Sequence, residues 1–110
     1  MSGDSKFMSV YDSSLRLIHE ARQSASARRW GEAEALLRQA LELDYRSVPA
    51  WMNLASVLRA SGDPAGALAA VESAKKLQPL NVHGTMLLAS LQEETGEPRL
   101  AALSYGAALD

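Results

Sequence analysis

The chain has 110 residues, 47% apolar and 22% charged, with a formal net charge of −2 and no cysteine. That balance suits one folded domain and argues against disorder, and so small a charge gives no field toward DNA, RNA or an anionic membrane. The absence of cysteine excludes disulfide frameworks, thiolate metal sites and cysteine nucleophiles, and no stretch approaches the roughly 20 apolar residues that span a bilayer.

Residues 1–12 read as a flexible N-terminal lead ahead of a domain over 13–110, with Met8 as a second candidate start and residues 2–7 then foreign to the natural chain. Residues 1–8 lack the apolar run of a secretory signal, so a cytoplasmic location is expected. Beyond the lead the apolar spacing is helical. Leu15 with Ile18, then Leu36, Leu37 and Leu41, recur at the steps that line one helix face.

The first helix is expected over Ser13 to Ala27, capped by Asp12 or Ser13, and the second over Trp30 to Leu43. Ser47 can cap a third helix whose first turn accepts Pro49 and which ends near Ala60. Gly62 breaks the chain by its freedom to turn left-handed; Asp63 caps and Pro64 opens a fourth helix ending near Leu77. Asn81 caps a fifth, Val82 to Glu94. Gly96 stops it, and Pro98 opens a sixth that runs to the chain end. Connections this short force antiparallel pairs.

A period of 34 residues runs through these helices. Ala21, Ala55 and Ala89 form one series, Ala33, Ala67 and Ala101 a second, Ala40, Ala74 and Ala108 a third. Small residues on a fixed step let helix axes approach to about 8–10 Å, and a unit of this size buries its apolar side by stacking on copies of itself. The units are 14–47, 48–81 and 82–110.

The middle unit carries Trp51, Leu54, Ala55, Leu58, Gly62, Ala67, Val71, Ala74 and Pro79, and so resembles the tetratricopeptide repeat (TPR) family. The third keeps Leu88, Ala89, Gly96, Ala101, Tyr105 and Ala108. The first keeps Leu17, Ala21, Ala33, Leu37 and Ala40 but has Glu20, Arg28 and Tyr45 where Leu, Gly and Pro are usual. The resemblance implies an all-α fold, a right-handed superhelical α-solenoid of three helix-turn-helix units. Trp51 is read as core and Trp30 as a partly exposed site.

Catalysis finds little footing in these residues. His19 and His83 fall two units apart, on the order of 20 Å when helices stack at ~10 Å, too far to share a metal ion. Glu93 and Glu94 are adjacent on a helix and diverge. No Gly-rich phosphate loop or serine elbow is present. No catalytic residue, metal or cofactor is expected.

The family resemblance implies a concave groove, lined by the first helix of each unit, that holds an extended peptide or a partner helix. The matching positions are Leu15, Ile18, His19, Arg22 and Ser26 in unit one, and Met52, Asn53, Ser56 and Arg59 in unit two. Unit three supplies His83, Met86, Leu87, Ser90 and Glu93. Ile18, Met52 and Leu87 could instead pack between helices. The carboxylate clamp of TPR co-chaperones is not expected, because its positions hold Ile18, Arg22, Asn53, His83 and Leu87, and only Asn53 agrees. RNA binding of the pentatricopeptide kind fits neither the 34-residue step nor an acidic third unit.

The sequence therefore points to a non-catalytic module that binds a protein or peptide. An N-terminal docking segment of a larger bacterial enzyme or secretion-type protein is the alternative. The sixth helix, with Leu100, Leu103, Tyr105 and Leu109, reads as an edge without a polar cover. The expectation is that it meets a further segment or pairs with a second copy through a symmetric patch.

Overall fold

The computed structural model describes residues 9–109. These fold as α1 (Val10–Ser26), α2 (Trp30–Leu43), α3 (Val48–Ala60), α4 (Pro64–Leu77), α5 (Val82–Glu94) and α6 (Pro98–Leu109), with no strand among them. The boundaries follow from local chemistry. Ser47 Oγ accepts the Ala50 N–H at 3.3 Å, Asp63 Oδ1 the Gly66 N–H at 2.9 Å and Asn81 Oδ1 the Gly84 N–H at 2.7 Å, each satisfying a donor that a helix start leaves free.

The first helix begins three residues earlier than the sequence suggests. Ser9 is its cap, with Oγ accepting the Asp12 N–H at 3.0 Å, so Val10, Tyr11 and Asp12 belong to the helix rather than to the lead. Residues 1–8 of the expected lead lie outside the described residues.

Three turns of one design close the hairpins. In each, an N–H reaches back five residues to the helix: Arg29 to Ser24, Asp63 to Leu58 and Glu97 to Gln92. The residue before each donor is left-handed, at φ 60° for Arg28, 94° for Gly62 and 81° for Gly96. This is the Schellman ending that glycine adopts freely. Arg28 holds the same geometry with a side chain attached, at a cost of about 1–2 kcal/mol.

The hairpins α1–α2, α3–α4 and α5–α6 stack in order, α3 against α2 and α5 against α4. The result is an α-solenoid measuring 55 × 27 × 18 Å, with a radius of gyration of 15.3 Å against about 13 Å for a compact chain of this length. The alanine series lies at its helix contacts. Eight of the nine, Ala21, Ala33, Ala40, Ala55, Ala67, Ala74, Ala89 and Ala101, are no more than 2% exposed. Ala108 alone is half-buried. Around them Leu37, Leu54, Val71 and Leu91 fill the core. Trp51 packs half-buried against it, donating its indole N–H to the Tyr45 carbonyl at 2.8 Å.

Candidate functional site

The first helices of the second and third hairpins, α3 and α5, run side by side. Leu54, Ala55 and Leu58 turn one side of α3 into the core, which leaves Met52, Ser56 and Arg59 on the opposite side at helical steps. On α5, Leu88, Ala89 and Leu91 are buried, and His83, Met86, Leu87 and Ser90 face α3. Together they form a shallow trough. Ser56, Arg59, His83, Met86, Leu87 and Ser90 line about 330 Å³ of it, and Met52 and Asn53 extend it by about 130 Å³.

Its chemistry is mixed. Met52 and Leu87 are half-buried and supply apolar floor. Asn53 donates one amide hydrogen to the Pro49 carbonyl at 2.7 Å, which leaves its second N–H and its carbonyl oxygen for another chain. Ser56 Oγ bonds the Met52 carbonyl at 3.3 Å. At one end Arg59 pairs with Glu94 across the two hairpins. That bridge ties α3 to α5 and neutralises the arginine.

The expected lining divides by unit. Those from units two and three meet in the trough, except Glu93, which is exposed beside it. Those from unit one do not join it. Ile18 is 4% exposed and sits in the core with Ala21, so the expectation of a surface position is corrected: α3 covers it. His19 and Arg22 are exposed, His19 Nε2 lying 3.3 Å from Gln23 Nε2. Ser26 bonds its own helix through the Arg22 carbonyl, and Leu15 lines a separate hollow with Tyr11, Val48 and Pro49.

A gradient explains the division. Ile18, Met52 and Met86 share one register position, and their exposure rises from 4% through half-buried to 39%, in step with α3 packing more closely on α1 than α5 does on α3. Sequence reasoning also missed a wider cleft, about 660 Å³, beside Thr85, Leu100 and Leu103. The available signal was the change of residue at matched positions, Trp51 to Thr85 and Ala69 to Leu103.

The sequence profile of the tetratricopeptide repeat family matches residues 20–82 and again 54–110, spanning both hairpin junctions. The chain belongs to the tetratricopeptide repeat family. No curated protein matches this TPR chain in sequence. Among solved structures it is similar to MamA, with a TM-score of 0.83 at 18% identity, over 88% of this chain and 57% of that one. It is also similar to YrrB, a TPR protein with an unusual peptide-binding site, with 0.79 at 22% over 84% and 48%. A third is the Yersinia enterocolitica type III secretion chaperone SycD in complex with a peptide of the translocator YopD, with 0.78 at 15% over 84% and 71%. At these identities the likeness is one of fold. The TPR chain spans about half the length of the MamA and YrrB structures.

Among the described residues no helix is long and apolar enough to cross a membrane, and no group of three or more His, Cys, Asp or Glu side chains is placed to hold a metal ion.

Proposed function

We propose that the chain is a non-catalytic protein-interaction module, acting in the cytoplasm, that seats an extended peptide in the trough between α3 and α5. The observation that carries this reading is the pairing of apolar floor, Met52 and Leu87, with the unspent half of the Asn53 amide. An extended peptide offers alternating side chains to the floor and backbone groups to such an amide. Two fold neighbours bind peptides, YrrB by its peptide-binding site and SycD in its complex with a YopD peptide, which supports a peptide as the occupant here.

Capture from cell extract by the intact chain and by the Asn53→Ala, Arg59→Glu double variant tests this, with bound proteins identified by mass spectrometry. Loss of a specific partner in the variant is the expected result. Unchanged capture would move the working surface elsewhere.

A second reading, pairing of two copies through α6, is favoured by one observation. Leu109 is 82% exposed and Ala108 half-buried, whereas Ala40 and Ala74, at the position of Ala108, are fully covered by a following helix. The earlier expectation that Leu103 and Tyr105 share this patch is corrected. They lie about 200° apart around the helix; Tyr105 is half-buried with its hydroxyl 3.4 Å from Ser90 Oγ, and Leu103 faces the cleft. Sedimentation of the Leu109→Glu variant tests the pairing. A dimer that the substitution dissolves is the expected result, and a wild-type monomer at high concentration would refute it.

A further inference from the structure

Outside the trough, a cleft of about 660 Å³ opens between the C-terminal end of α4, the turn after it and the α5–α6 hairpin. Leu80, Leu88, Leu100 and Leu103 wall it, and Lys75 and Lys76 stand at its rim. The 34-residue register shows why there is space. At the preceding junction the matched position is Trp51, whose indole packs against the core and reaches the Tyr45 carbonyl. Here the position holds Thr85, which lines the cleft. The volume of an indole has been removed from the same backbone.

Two hydrogen-bonding groups are left over. The carbonyl matched to that of Tyr45 belongs to Pro79, and no hydrogen bond among the described residues reaches it. Gln92 is 7% exposed and accepts from Ser104 Oγ at 2.7 Å through Oε1. Its Nε2 has no partner among the described residues, and the side chain lines the cleft. That amide donor opens to solvent through the cleft and is free to bond an incoming group.

We propose that this cleft docks a partner segment that inserts an indole side chain between Thr85 and Leu103 and carries acidic residues on either side. The leucine walls reward burial of a large flat apolar group, whose N–H meets the Pro79 carbonyl as that of Trp51 meets Tyr45. Gln92 Nε2 donates to a backbone carbonyl of the incoming segment. Lys75 and Lys76 are exposed and belong to no ion pair among the described residues, so flanking carboxylates find two cations at the rim. A second copy of this chain is a poor occupant, because its own indoles, Trp30 and Trp51, are both half-buried in its fold.

The test is a titration of the isotope-labelled chain with an acetylated, amidated Glu-Glu-Trp-Glu peptide, followed by amide shifts, with Glu-Glu-Ala-Glu as control. Saturable shifts at Thr85, Leu103 and Ser104 with the tryptophan peptide alone are expected. Thr85→Trp, which fills the cleft from within, should weaken binding at least tenfold. So should Leu103→Glu, which keeps the test open if the first variant fails to fold. Lys75→Glu with Lys76→Glu should weaken it about tenfold at low salt and less at high salt, as screening predicts. Equal responses to both peptides, shifts confined to the trough, or undiminished binding to Thr85→Trp would overturn the proposal. Self-association abolished by Leu103→Glu would also overturn it, by showing a second copy in the cleft.

Discussion

At the first junction Trp51 lies against the end of α2, held by its hydrogen bond to Tyr45, with Leu58 and Ala70 buried beside it. At the second, matched residue for residue, Thr85 replaces the indole and a hydrogen-bonded Gln92–Ser104 pair replaces Leu58 and Ala70. The alanines that let the helices approach are buried at both. What differs is the bulk around them. Successive junctions can therefore keep the same small contact residues while one is closed and the next is left open to solvent.

Variants can break this contrast or sharpen it. Trp51→Ala should hollow the first junction and cost about 2–3 kcal/mol in urea unfolding, less than the loss of a fully buried indole. An unchanged midpoint would show that the indole is not a packing element. Thr85→Trp should gain about 1 kcal/mol by burying apolar surface at the second junction, read as a higher thermal midpoint; a loss would mean that the cleft cannot accept the ring.

Smaller effects belong to the hairpin turns, where unit one again departs from its neighbours. Arg29 makes no side-chain cap to α2, whereas Asp63 caps α4 at the same register position. Arg29→Asp should add about 0.5–1 kcal/mol, because the exposed Arg29–Glu32 pair it removes, 3.7 Å apart, contributes little. Arg28→Gly should add about 0.5 kcal/mol, relief of the left-handed arginine being offset by glycine's greater freedom when unfolded. Either change leaving the unfolding curve in place would put the strain elsewhere.

Helix order and all but one start were legible because Ser47, Asp63, Asn81 and the prolines are strong local signals that the tertiary structure does not override. The start of α1 was not, since Ser9, Asp12 and Ser13 can each cap and only the fold selects among them. Ser14 is 1% exposed and bonds the Ala40 carbonyl at 3.3 Å, a contact between helices that no local pattern announces. The trough was legible in units two and three and misplaced in unit one. Ile18 presents the same apolar character as Met52, and only the helix stacked over it decides that it is buried. The cleft was written in the sequence as a difference between units, which a search for what the units share passes over.

The half-buried Ala108 bears on how the chain opens. Each hairpin draws part of its protection from the one stacked after it, and α6 has no neighbour beyond it among the described residues. Amide hydrogens along α6 should therefore exchange through local fraying, while those of α3, enclosed by helices before and after, wait for global unfolding. Among the described residues, slow exchange along α3 and fast exchange along α6 is the expected contrast.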